Sequence, residues 1–182
     1  MTYNVAVLVG SLRKESLTLK VVHALQALAP KELKLEIVEI GNLPLFNQDH
    51  ESEPAAPVKA FKAKIAAADA VLFATPEYNR SVPGALKNAI DVGSRPYGKS
   101  AWNGKPAAVI SQSMGAISGF GANHHLRQSL VFLNMPAMAQ PEAYIANSTT
   151  LFDDTGELTK PETREFLTSF LTAFAAWIAK TK

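Results

Sequence analysis

The stretch DAVLFATPEYNRSVPGALKNAID, Asp69 to Asp91, decides how this chain folds. Its first six residues are the most apolar run of the sequence, and they pass directly into Thr75 and then Pro-Glu-Tyr-Asn-Arg, Pro76 to Arg80. A short, continuous apolar run bounded by turn formers reads as a strand buried on both faces, and the segment after it as a helix. The same grammar recurs outward. VAVLV (Val5 to Val9) and AAVI (Ala107 to Ile110) are further buried strands, while Leu17, Val21, Leu25 and Leu28 mark one helical face and Val58, Phe61, Ile65 and Ala68 another. Strands of this kind alternating with amphipathic helices predict an α/β fold, a doubly wound parallel sheet with helices on both faces. LKLEIVEI (Leu33 to Ile40) mixes apolar and charged positions, which places that strand at or near an edge. A last helix carries Phe166, Phe170, Phe174 and Trp177 on a stripe expected to pack into the core.

Composition limits the function classes. With 182 residues and 47% hydrophobic content, the chain has enough material for one core, so residues 1–182 are expected to form a single domain. No apolar run approaches the roughly 18 residues of a membrane span, and no basic segment with an apolar signal core opens the sequence, so a cytoplasmic chain without a membrane partner is expected. There is no cysteine, which excludes disulfides, thiolate metal sites, iron–sulfur clusters and thiol redox chemistry. Any electrons handled here must travel on a bound cofactor. Eighteen basic and 16 acidic residues give a net charge of +2 with no long basic run, which argues against a nucleic-acid partner.

Chemistry concentrates where strands end. GSLRKESLT (Gly10 to Thr18) joins the first strand to the first helix. It fits neither the G-x-G-x-x-G pattern for a dinucleotide nor the G-x-x-x-x-G-K-[ST] pattern for a nucleoside triphosphate. It offers instead the hydroxyls of Ser11, Ser16 and Thr18 and the guanidinium of Arg13 at a helix N-terminus, a donor set suited to a terminal monophosphate such as that of FMN. The other reading is an ordinary cap by Ser16 or Ser11 with a solvated Arg13. In a doubly wound sheet ligands bind outside the carboxyl ends of the central strands, which is where PEYNR stands. Ser81 is expected to cap the next helix, Pro83 to sit in its first turn, and Gly84 and Ala85 to leave room for a flat ligand beside Tyr78. SQSMGAISGFG (Ser111 to Gly121) adds Ser113 and Gly115 at a third strand end. Glu77 reads either as a ligand contact or as an acceptor for backbone N–H groups.

Two long loops remain, Gly41 to Pro57 and Gly93 to Lys105. For the second a functional role is expected, because Arg95, Tyr97 and Trp102 place a cation and two large aromatics in a turn-rich stretch. His124 and His125 are adjacent and so point in different directions from a helix, which argues against a metal site and suits a subunit contact.

These motifs together, GSLRKESLT, LFATPEYNRSVPGALKNAIDVGSRP and GKPAAVISQSMGAISGFGANHHLRQSLVFLNMP, resemble the NADPH-dependent FMN reductase family, in its chromate and quinone reductase branch. The resemblance implies a flavodoxin-like fold with a five-stranded sheet of order 2-1-3-4-5, bound FMN, and NADH or NADPH as electron donor. It implies quinones, free flavins, azo compounds or chromate as acceptors, reduced in a ping-pong cycle through flavin N5. It further implies a homodimer or homotetramer. Carried residue by residue, it places the phosphate at Ser11, Arg13, Ser16, Leu17 and Thr18, and the ring at Pro76, Glu77, Tyr78, Asn79, Arg80, Ser113 and Gly115. No side chain is required as a catalytic acid or base. The chain departs from the pattern at Leu17-Thr18, where many members carry an aromatic followed by asparagine, and at Arg80, where many carry tyrosine. Arg80 and Arg95 are candidates for attracting substrate. The competing function is a flavodoxin-type electron carrier, a class that is usually strongly acidic.

Overall fold

The computed structural model describes residues 1–182. Five parallel strands, β1 (Tyr3–Val9), β2 (Leu33–Ile37), β3 (Ala70–Thr75), β4 (Ala107–Gln112) and β5 (Ala143–Ile145), form one sheet in the order β2-β1-β3-β4-β5. Helices α1 (Leu17–Leu28), α2 (Ala56–Ala67), α3 (Gly84–Ser94), α4 (Phe120–Phe132) and α5 (Pro161–Thr181) cover it. This is the flavodoxin-like arrangement expected from the sequence.

Alternation along the strands divides the core. Val5, Val7 and Val9 join Val21, Leu25, Phe170 and Phe174 beneath α1 and α5, whereas Ala6 and Leu8 join Phe61, Ile65, Leu86 and Leu126 beneath α2, α3 and α4. Both faces of β1, β3 and β4 are therefore dry, which is why their sequences are almost uninterrupted apolar runs. In α5 the fully buried stripe is Leu167, Phe170, Leu171, Phe174 and Ile178, with Phe166 and Trp177 flanking it. Trp177 resolves its polar atom by donating Nε1–H to the Pro136 carbonyl at 2.8 Å.

The edge strand β2 pairs only with β1 and exposes Lys34 and Glu36. It ends at Ile37, three residues before the apolar pattern does. Val38 N still donates to Val7 O at 2.9 Å, but Val38 and Ile40 then pack under α2 and α3 and turn the chain off the sheet. No helix is long and apolar enough to cross a membrane.

The loop Gly93 to Lys105 departs from its expected functional role at Trp102. This side chain is fully buried, packs 5.9 Å from both Phe61 and Phe73, and donates Nε1–H to the Ile90 carbonyl at 2.9 Å. It is a core residue supplied by a loop. Gly93 is required beside it, since a Cβ there would lie 2.4 Å from the indole. Tyr97 remains exposed.

Candidate functional site

The first wall of the site is the turn from β1 into α1. Ser16 caps α1 by accepting the Leu19 N–H at 3.2 Å, and the first turn contains no acidic residue to offset the positive end of the helix dipole. Within the same first turn, Thr18 Oγ1 accepts the Gln112 Nε2–H at 2.7 Å. Both residues are almost fully buried, Ser16 at 3% and Thr18 at 1% exposure, and neither hydroxyl donates to any protein group. A buried hydroxyl whose oxygen is occupied and whose hydrogen is unused is a donor waiting for an external acceptor. Arg13 forms no ion pair within the chain. The cap read from Ser16 and the anion site read from the same loop are thus compatible, because the cap uses the oxygen and leaves the hydrogen.

The second wall is the end of β3. Tyr78 and Ser81 exchange backbone hydrogen bonds of 3.0 and 2.9 Å around Asn79 and Arg80, both left-handed at φ 50° and 63°. Two successive positive φ values define a type I′ turn, natural for asparagine and strained for arginine. The N–H groups of Asn79 and Arg80 make no bond inside the protein. Two contacts fasten this turn to α4: Glu77 Oε2 accepts the Ala122 N–H at 3.1 Å, and Ser81 Oγ lies 2.9 Å from His125 Nδ1. Glu77 Oε1 also receives Arg80 Nη1 at 3.1 Å. The geometry gives Glu77 the backbone-acceptor role, and it corrects the expectation for Ser81. That hydroxyl is taken by His125, so α3 starts at Gly84 with Pro83 in the cap position and no side-chain cap. A Cβ added at Gly84 would meet nothing within 4 Å.

The third wall is the end of β4, where Ser113 Oγ accepts the Gly115 N–H at 2.9 Å and folds the loop back on itself. The three walls enclose a cleft of about 170 Å³ lined by Ser11, Arg13, Ser16, Leu17, Thr18, Pro76, Glu77, Tyr78, Gln112, Ser113 and Met114. Nine of the residues expected from sequence line it. Asn79 and Arg80 form the turn beside it and Gly115 the loop beyond Ser113. Gln112 and Met114 were not anticipated. The polar pair Ser111-Gln112 closing an apolar strand was the available signal for Gln112, and exposed loop apolars such as Met114 carry none.

Arg95 is elsewhere. It lines a separate cavity of about 220 Å³ between α2, the end of α3 and the loop after β2, which shares no residue with the cleft. There its Nε donates to Glu51 Oε1 at 2.6 Å and its guanidinium lies 5.8 Å from the Phe46 ring. Lys62 donates to the Arg95 carbonyl, and burial lowers the Lys62 pKa against the opposing pull of Glu51. The loop after β2 is pinned by Asn88, which bonds Pro44 O at 2.9 Å and Phe46 N at 2.8 Å. His124 and His125 lie on α4 and diverge as expected, His124 Nε2 meeting the Tyr144 hydroxyl at 2.9 Å.

Chemically, the cleft offers the hydroxyls of Ser16 and Thr18 and the Arg13 guanidinium at one end and the Tyr78 ring at the other. Comparison with known proteins gives the same direction. The family model described as NADPH-dependent FMN reductase matches residues 3–150. A quinone reductase of Pseudomonas putida is 63% identical over 177 residues, covering 97% of this chain and 95% of the relative. A 2-hydroxy-1,4-benzoquinone reductase of Burkholderia sp is 46% identical, covering 98% and 97%. Among solved structures, the flavoenzyme NAD(P)H:(acceptor) oxidoreductase FerB from Paracoccus denitrificans superposes with a TM-score of 0.94 at 44% identity, covering 99% of both chains. A family match over most of the chain, joined to a strand-end cleft with unused anion donors, means that this chain is an enzyme of the NADPH-dependent FMN reductase family, in its quinone reductase branch.

Proposed function

We propose that the cleft holds FMN and that the enzyme uses it to oxidise NADH or NADPH and to reduce quinones, with chromate, free flavins and azo compounds as further acceptors. The observation that carries this reading is the pair of buried hydroxyls, Ser16 and Thr18, whose hydrogens have no protein acceptor and which stand beside the unpaired Arg13 at a helix N-terminus. Three donors of this kind match the terminal phosphate of a mononucleotide. Tyr78 and the N–H groups of Asn79 and Arg80 then face the ring, and Ser113 borders it.

Bound FMN supplies two-electron chemistry, accepting from the nicotinamide and passing on to the acceptor in alternate half-reactions. The chain's own part is to hold, orient and polarise. Backbone N–H groups at Asn79 and Arg80 would stabilise negative charge on the reduced group, and their positions are fixed beforehand by the Glu77 and Ser81 contacts to α4. No side chain is assigned as a general acid or base. Exposed Met114 lines the cleft, and Ile117 and Phe120, which follow it in sequence, are exposed as well, an apolar surface that suits both an aromatic acceptor and a homodimeric or homotetrameric assembly.

The test is an absorbance spectrum of purified protein followed by anaerobic NADPH. Flavin bands that bleach, together with steady-state turnover of benzoquinone, are the expected result. Bands that bleach without quinone turnover would favour the electron-carrier alternative, against which the net charge of +2 already argues. A colourless protein that takes up no flavin would exclude both.

A further inference from the structure

The amide of Gln112 lies between two hydroxyls that are distant in sequence. Its Nε2 donates to Thr18 Oγ1 at 2.7 Å, and its Oε1 accepts from Ser148 Oγ at 2.6 Å. All three residues are buried, at 7%, 1% and 0% exposure. Ser148 is itself fixed to the sheet, because its N–H donates to the Ser113 carbonyl at 3.1 Å. The amide oxygen thus faces Ser148, a group from beyond β5 that does not line the cleft, and the amide N–H faces Thr18.

That orientation determines what Thr18 can do. Within a helix a threonine hydroxyl often turns its hydrogen to a preceding backbone carbonyl. Here the incoming N–H occupies the oxygen, no carbonyl takes the hydrogen, and the residue lines the cleft. The three donors, Ser148 O–H, Gln112 N–H and Thr18 O–H, run head to tail toward the anion end, and hydrogen bonds arranged in one direction polarise one another. Resting on the FMN reading above, we propose that Gln112 is the positioning residue of the phosphate subsite, holding the Thr18 hydroxyl as a donor to the phosphate.

The experiment is titration of the full chain, stripped of flavin, with FMN and with riboflavin, read by flavin fluorescence. Hydrogen bonds to charged groups predict that Gln112→Leu weakens FMN about tenfold or more. Riboflavin affinity is expected to stay as in the wild type. Thr18→Val is expected to give the same selective loss, and the double variant no further loss, since both remove one interaction. Gln112→Glu, whose carboxylate would draw the Thr18 hydrogen away from the cleft, is expected to lose more FMN affinity than Gln112→Leu, and Ser148→Ala less. Equal losses for both flavins, or additive losses in the double variant, would overturn the proposal. Should Gln112→Leu fail to fold, Ser148→Ala and Thr18→Val carry the same comparison. A wild type that bound flavin but did not prefer FMN to riboflavin would instead remove the phosphate subsite itself.

Discussion

Gly121 stands against the carboxylate of Glu77: a Cβ at this position would lie 2.9 Å from Oε2 and 2.8 Å from the carbonyl oxygen of Arg80. The close approach lets the start of α4 and the turn after β3 share hydrogen bonds. Gly121→Ala must push the turn away, at a cost typical of overpacking, about 1–3 kcal/mol. Since the turn borders the end of the cleft proposed to hold the ring, FMN and riboflavin should weaken by the same factor. Thermal melts and parallel flavin titrations check this, and a loss confined to FMN would contradict it.

Arg13 belongs to the opposite end. It has no ion-pair partner in the chain, so Arg13→Ala removes no internal contact of that kind and should leave the melting temperature unchanged. FMN affinity should fall about tenfold or more, the size of a charge-assisted hydrogen bond, with riboflavin unaffected. Titration with both ligands distinguishes this from a general disturbance.

Arg80 is 72% exposed in its side chain, and its ion pair with Glu77 contributes little to stability at that exposure. Its effect should be on anionic acceptors. In stopped-flow oxidation of pre-reduced enzyme, Arg80→Tyr should lower kcat/KM for chromate and leave benzoquinone nearly unchanged. Added salt should erase most of the wild-type advantage, because exposed charges are screened over about 8–10 Å. Proportional losses for both acceptors would mean that Arg80 acts through the turn geometry.

Trp102 was expected at a functional loop and is found in the core. Trp102→Ala should therefore cost about 3–5 kcal/mol in urea unfolding. Flavin affinity of the folded fraction should stay at the wild-type value. A variant of undiminished stability with impaired turnover would restore the functional reading.

Asp69 gives a pH signature. Its carboxylate accepts the Asn4 N–H at 2.7 Å and pairs with Lys182, and the Lys182 hydrogen bond is the main cause of a lowered pKa. A carboxylate with its folded pKa below the unfolded value of about 3.9 contributes stability that is complete above that value and lost as pH falls through the folded pKa. Asp69→Asn should be destabilising at pH 7 and nearly neutral in strong acid. Urea melts at the two pH values check the sign.

The fold and most of the candidate site were legible in the sequence because both depend on local pattern. Continuous apolar runs locate strands buried on two faces, helical spacing locates the cover, and turn formers after a strand locate the ligand edge. Ser16 announced its cap, and Pro76 to Arg80 announced a turn. What the chain does with individual polar side chains was decided by tertiary contacts. The departure at Thr18 is one case, since its partner Gln112 is 94 residues away and arrives only when β4 lies beside α1. Arg95 is another, drawn into a different cavity by Glu51, 44 residues earlier. Trp102, Ser81 and Glu77 follow the same rule, their roles set by Ile90, His125 and Ala122. Periodicity records how much of a side chain is buried along an element. Hydrogen bonds need a particular donor within about 3 Å, and that proximity exists only after the sheet has brought its strand ends together.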